Sequence, residues 1–214
     1  RFTGVQFGQA YAGDYTRNLI HSTAVGANAV VTFSECIFRA AYVGTGKGYG
    51  LCIWSGTDYG CVMTVKNCVF YNFINGTTDC AAINNSSSRW TFNVVNCTFQ
   101  NCYVGCILTG GNAFTGQNLG FVSCTTPYSG FTPTTSSSTT PTFTDASYAT
   151  TKDFHLSSDD TTWKGQGTDN SYTTDIAGTT RTSTWDIGAF EAAAEGASNT
   201  PSNTPSNTPS ATPS

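Results

Sequence analysis

The sequence predicts an all-β chain wound as a short parallel β-helix, and three observations predict it. A five-residue phrase recurs as SECIF at 34–38, KNCVF at 66–70, VNCTF at 95–99 and VSCTT at 122–126. Aligned on Cys36, Cys68, Cys97 and Cys124, the copies lie 32, 29 and 27 residues apart, within the range of solenoid repeats. Val31, Met63, Phe92 and Leu119 stand five places before each cysteine, and Phe33, Val65, Val94 and Phe121 three places before it. That is the period of two of a strand with one buried face. A second register falls in the intervals, at Cys52-Ile53, Ala82-Ile83 and Cys106-Ile107, so each interval holds at least two strands. A β-sandwich with chance likeness between its strands is the alternative reading of the same alternation.

The elements follow in order. Residues 1–27, with FTGVQF and a turn at AYAGDY, read as an opening strand and partial coil or cap, and residues 28–126 are the coils. Stacked coils lie about 4.8 Å apart, so like side chains form columns. Cys36, Cys68, Cys97 and Cys124 are expected to make one column, with Phe38, Phe70 and Phe99 beside it. Glu35, Asn67, Asn96 and Ser123 precede the cysteines, where a bend favours short polar residues that tolerate a left-handed backbone. The Thr/Ser/Pro-rich stretch 127–152 reads as an ordered surface excursion, 153–191 as a closing module, and 192–214 as a linker and tail.

The cysteines support two readings. Neighbouring coils bring Cα atoms within disulfide range, so Cys36 with Cys68, or Cys97 with Cys124, would staple the stack, while Cys61 with Cys80 and Cys102 with Cys106 would close loops. Alternatively the column consists of small buried hydrophobes without bonds. Nine cysteines, Cys52 included, leave at least one outside any pairing within the chain. No CxxC pair is present, and His21 and His155 stand alone in sequence, so no metal site is expected.

Composition points outside the cell. Only 10% of the 214 residues are charged against 38% apolar, and Thr, Ser, Asn and Gly fill the expected surface. A cysteine count of nine suits an oxidising compartment, and a net charge of −4 argues against nucleic acid. No stretch is long and apolar enough to span a bilayer, and a mature form with its export signal removed is expected. Asn75, Asn84, Asn85 and Asn96 begin Asn-x-Ser/Thr triplets and are candidate glycosylation sites. The tail repeats NTPS three times and then ATPS. Thr200, Thr204, Thr208 and Thr212 are candidate O-glycosylation sites on a segment reaching about 50 Å if extended.

DFHLSS at 153–158, DIAGTTR at 175–181 and WDIGAFE at 185–191 resemble the ending of secreted bacterial right-handed parallel β-helix surface proteins of the pectate-lyase-like superfamily. The NCxF phrase is similar to the same group. This resemblance implies a right-handed solenoid and a strand near WDIGAFE that finishes it. It implies architecture more than chemistry, since fold alone supplies none. Where that group often reads SPAIDAG, this chain has DDTTWKGQGTDNS. Within the module, Asp175, Arg181, Asp186 and Glu191 are read as ion pairs fixing a cap, in preference to an acid/base pair or cation ligands.

Polysaccharide lyases and glycoside hydrolases also use this architecture, but they need carboxylates set across a cleft. Between 28 and 126 the charged residues are Glu35, Arg39, Lys47, Asp58, Lys66, Asp79 and Arg89, and only Glu35 with Lys66 fall where they could meet. Asp159-Asp160 resembles the paired aspartates of polygalacturonases without their companion motifs. The function expected is therefore structural and non-catalytic, needing no cofactor. The chain would be a self-assembling extracellular subunit of a filament, fibre or surface layer, its tail docked on a neighbour or O-glycosylated. A monomeric adhesin binding surface glycans through Trp54, Trp90, Tyr42 and Tyr59, or a viral fibre or decoration protein, are the rivals.

Overall fold

Strands with one apolar face must bury it, and here they do so by stacking on their own successors. The computed structural model describes residues 2–12, 17–22, 28–43, 48–53, 60–74, 80–110, 113–151, 153–181 and 184–192, with backbone alone for 8–12, 17–22, 41–43 and 48–53. Trp54, Tyr59, Asn75, the tail threonines and the side chains of Tyr42 and Cys52 thus lie outside the described residues.

The fold is all-β, parallel and solenoid-like, with strands in three rows. The first row holds β1 (Phe2–Thr3), β4 (Val30–Ser34), β7 (Cys61–Lys66) and the leading parts of β10 (Trp90–Gln100) and β12 (Phe114–Val122). The second holds β2 (Gln6–Ala12), β5 (Ile37–Val43), β8 (Val69–Tyr71), the trailing parts of β10 and β12, and β14 (Ser136–Ser137). The third is a separate sheet of β3 (Arg17–Ser22), β6 (Gly48–Ile53), β9 (Ala81–Asn85), β11 (Val104–Leu108) and β13 (Thr126–Ser129). Every strand pair is parallel, so the chain passes through the rows in order and returns one level on. The only helix among the described residues is the single turn α1 (Tyr148–Thr151).

One left-handed residue makes each bend between the first and second rows: Gly4, Glu35, Asn67, Asn96 and Asn118, with φ between 49° and 64°. A second set, Asn72, Asn101 and Ser123, turns the chain from the second row to the third. Left-handed backbone costs most side chains about 1–2 kcal/mol, and Asn offsets part of this by local hydrogen bonding. The asparagines also bond to one another. Asn118 Nδ2 donates to Asn96 Oδ1 (2.9 Å), and Asn96 Nδ2 to Asn67 Oδ1 (3.2 Å). The segment 168–174 crosses this ladder like a strap: Asn67 and Asn118 donate to the carbonyls of Thr174 and Thr168, and Asn170 donates to Asn96.

This register corrects the expected cysteine column. Cys36, Cys68 and Cys97 all follow first bends, but the residue paired with Cys97 in the next coil is Leu119, 22 residues on. Cys124 follows a second bend, with Cys102 as its counterpart one coil back. Likewise Phe92 pairs with Phe114 and Val94 with Gly116, in place of Leu119 and Phe121. The third row shifts as well: Ile83 pairs with Leu51 and Cys106, so Cys52 stands beside Asn84. Each kind of bend has a left-handed residue at its corner, and at both a polar residue followed by cysteine occurs, so Asn96-Cys97 and Ser123-Cys124 look alike in sequence while lying on different corners.

Inward residues fill the interior in columns. Phe7, Phe38, Phe70, Phe99 and Phe121 stack with centroids 4.5–5.1 Å apart and planes within 16° of parallel, one more ring at each end than expected. Beside them, Phe33, Met63, Val65, Trp90, Phe92 and Val94 are buried from the first row. All eight cysteines with described side chains are reduced thiols, and seven are buried, packing as small hydrophobes.

The start of the stretch 127–152 belongs to the stack, while 134–151 is exposed or half-buried apart from Pro141 and Phe143. β13 completes the last coil, Phe131 stacks on Phe114 at 4.2 Å, and buried Pro133 packs beside it under Gly116. The module 153–191 also differs from expectation, since no strand in it finishes the stack. It lies sideways on the outer face of the second row, burying Phe154, Leu156, Trp163, Ile187 and Ala189 with Phe143 against Val69 and Val122. The Trp163 ring rests on Gly120, where a Cβ would fall 2.3 Å from it. WDIGAFE runs across the coils: Gly188 N donates to Asn118 O (3.0 Å) and Ala189 N to Thr98 Oγ1 (2.9 Å). The module is a lateral clasp.

Candidate functional site

Three places on this scaffold could act: the acidic cluster inside the clasp, a cavity on the outer face of the second row, and the exposed apolar residues of the first described coils. In the cluster, the Arg181 guanidinium bonds Glu191 Oε1 through Nη1 and donates to the carbonyls of Gly188 (3.1 Å) and Asp186 (3.4 Å). Asp186 accepts from the backbone N–H groups of Gly165 (2.7 Å) and Ala192 (2.6 Å), and Asp175 from those of Thr179 (2.7 Å) and Glu191 (3.0 Å). Asp160 is equally committed, to the N–H groups of Thr142, Trp163 and Lys164. Burial pushes Glu191 up to about 7 and Asp186 above its ordinary value, and lowers Arg181. Carboxylates occupied by backbone donors in this way hold chain segments together. Arg181 meets Glu191 side chain to side chain, whereas its contact with Asp186 is through the carbonyl.

Glu35 and Lys66 do not make the expected surface pair: Glu35 accepts from Ser34 Oγ (2.9 Å), and the Lys66 ammonium sits 4.1 Å above the Tyr172 ring, on the strap. Among the described residues no group of three His, Cys, Asp or Glu could hold a metal, and no helix is long and apolar enough to cross a membrane.

The cavity has a volume of about 410 Å³. Ile37 and Val69 form an apolar floor, and the rings of Tyr71, Phe154 and Phe190 stand around it. Arg39, Gln6, Thr150 and Thr151 bring polar groups. Behind Phe190, at 4.4 Å, packs the ring of His155, whose Nδ1 contacts Asp153 Oδ1. Partial burial alone would raise Asp153, but bonds from the His155 ring and N–H overcome it and hold the carboxyl below its ordinary value. His155 is therefore not isolated. The signal was the Asp-x-His spacing, which lets an aspartate accept from the backbone two residues on and meet the ring.

The third place is the N-terminal end. The outer edges of β1, β2 and β3 have no strand partner among the described residues. Phe2 stacks on Phe33 at 5.0 Å with its other side outward and 44% exposed, and Val5, above Cys36, is 37% exposed. Val30 is 70% exposed at the start of β4. At the opposite end the last strands carry Pro127 within β13, and β14 is two residues long.

Three candidate glycosylation positions are corrected. Asn85 is fully buried, donating to Trp90 O (2.9 Å) and accepting from Ser87 N (3.1 Å), and Asn84 is buried in the same strand. Asn96 is the middle of the ladder. A glycan on any of them has no room in the fold. Trp90 is buried in the core and is not a platform for sugar. No protein-family model, no curated protein and no solved structure matches this chain.

Proposed function

We propose that the chain is a structural, self-assembling extracellular subunit built as a right-handed parallel β-helix, with the exposed apolar side chains Phe2 and Val5 of the first described coil as its contact surface for a second copy. The observation that carries this reading is the apolar exposure of Phe2 and Val5 on the first described coil. Phe2 and Val5 continue columns that are closed everywhere below them, beside strands that end the sheet order among the described residues. The far end carries Pro127, which has no N–H to give a neighbour, and a strand of two residues. One adhesive end pairs two copies, and growth into a fibre needs a further contact. The NTPS tail, docked on the adjoining copy or O-glycosylated at Thr200, Thr204, Thr208 and Thr212, is assigned that role. The sparse charge and abundant Thr, Ser and Asn support an extracellular setting; the reduced thiols give it no help.

Electron microscopy and light scattering on purified protein test the proposal. Pairs or fibres that disperse in a Phe2→Lys/Val5→Lys variant of unchanged circular dichroism are expected. Monomers at all accessible concentrations overturn it, and pairs that survive removal of the tail assign growth to another surface.

A second reading rests on the cavity. Three rings and an exposed arginine beside threonine hydroxyls suit a surface glycan, which would make the chain an adhesin. Loss of glycan binding on Tyr71→Ala and Arg39→Ala, in a protein that binds at all, is the result that favours it.

A further inference from the structure

The two sets of bend cysteines differ in access. Cys36, Cys68 and Cys97 are wholly enclosed, and burial raises Cys68 well above its ordinary value. At the second bend, Cys102 and Cys124 each follow a left-handed residue on adjacent coils. The backbone ties between them are Asn101 N to Val122 O (2.8 Å) and Thr125 N to Cys102 O (3.1 Å). Parallel neighbours in this relation lie about 4.8 Å apart, inside the Cα range of disulfides. Cys124 Sγ donates to Phe99 O (3.6 Å), a carbonyl of the coil that carries Cys102. Cys102 is buried, but Cys124 is only half-buried and is the most accessible thiol among the described residues. We propose that Cys124 and Cys102 form a reactive dithiol that exchanges with a small-molecule disulfide and closes into a bridge between the last two full coils.

The chemistry runs in two displacements. Cys124 Sγ, as thiolate, attacks one sulfur of the small disulfide, forming a mixed disulfide and expelling one thiolate, which takes up the proton Cys124 gave. Cys102 then loses its proton, attacks the Cys124 sulfur and expels the second small thiol. The protein dithiol is oxidised by two electrons, and the disulfide is reduced to two thiols. The order follows from the environment: the neighbouring Cys102 thiol holds Cys124 below its ordinary value, whereas burial raises Cys102, and the attacking sulfur must be the ionised, accessible one. Cys106 also lies near Cys124, but it is fully buried and sits on the third row, paired with Ile83 and Tyr128. The bridge would fasten the plugged end of the stack, and the open end would be unaffected.

Oxidised glutathione is the probe, on the native full chain. The expected result is a two-hydrogen mass loss, with fragment mapping that links Cys102 to Cys124 and a raised melting temperature reversed by a thiol reductant. In Cys102→Ser, the mixed glutathione adduct should accumulate on Cys124. Native wild-type protein that takes up no bridge while its urea-unfolded form reacts overturns the proposal. A bridge from Cys124 to Cys106, or an adduct first on Cys102, overturns it as well. The mapping on wild-type protein needs no variant to fold.

Discussion

The two ends of the solenoid are built from the same parts and finished differently. At the C-terminal end the columns run into Phe131 and Pro133, the second row carries the clasp, and the ladder Asn67–Asn96–Asn118 lies under a strap. At the N-terminal end the columns of Phe33 and Cys36 run out at Phe2 and Val5, half-open to water, and the ladder position is Gly4. A repeating unit cannot bury its own apolar face, so what covers the final coil decides its stability. The covered end should therefore resist substitution poorly and unfold late, and the bare end should tolerate change and open first.

The largest effect expected is at the clasp. Trp163 is buried among Phe143, Gly120 and Gly188, and its Nε1 donates to Thr139 O (2.9 Å). Trp163→Ala should cost about 3–5 kcal/mol, measured as a fall in unfolding free energy in urea, because it leaves a cavity and an orphaned carbonyl. Amide exchange should rise across 118–122 and stay unchanged in β1 and β2. Uniform acceleration at both ends would show that the comparison is wrong and the stack unfolds as one unit.

The ladder comes next. Asn96 is enclosed, left-handed, and bonded to Asn67, Asn118 and Asn170. Asn96→Ala should cost about 3 kcal/mol, combining the strain of a left-handed alanine with amides left without partners. Asn96→Gly relieves the strain alone and should cost about half as much. Equal losses in chemical denaturation would mean that the backbone term is negligible here.

The clasp should also respond to pH. Folding raises Glu191 to about 7 from an ordinary 4.5 and raises Asp186, so across that window the folded state binds more protons than the unfolded one. This contribution to stability is fully present below about pH 4.5 and is lost as pH rises towards 7. Asp153, shifted downward, acts near or below its ordinary 3.8, outside the window. Melting temperatures at pH 5.5 and 8 should differ in wild type, and Glu191→Gln should narrow the difference. A wild-type melt that rises with pH would contradict the burial argument.

How far the sequence reached can be argued from the same residues. Alternation at Met63, Val65, Phe92 and Val94 declared one-faced strands, and the spacing of Cys36, Cys68 and Cys97 declared a stack, since both are local chemistry repeated at each level. The fifth coil was misread because it is short, carries Leu119 at the first bend, and offers Ser123-Cys124 at the second. The clasp was legible as a module and not as a placement. Whether WDIGAFE adds a strand or lies across the coils depends on distant groups, Thr98 Oγ1 and Asn118 O, that no local pattern announces. The cavity was invisible for a similar reason, being formed where α1 and the clasp meet outward side chains of the second row.

The smallest effect sharpens the comparison of the ends most directly. Glu35 occupies the same left-handed bend as Gly4 and Asn67, with φ of 54°, yet it has neither the freedom of the one nor the ladder bonds of the other. Its one described side-chain contact is with Ser34 Oγ. Glu35→Gly therefore removes about 1 kcal/mol or more of backbone strain, against a comparable gain in unfolded-chain entropy and the loss of one partly exposed hydrogen bond. The change in global unfolding should stay within about 0.5 kcal/mol of zero, while exchange in β1 and β4 slows slightly. Asn96→Gly, the same substitution one ladder inside the covered end, should be clearly destabilising. If both glycines prove equally costly, the bends are alike from end to end, and the difference in burial does not reach the backbone.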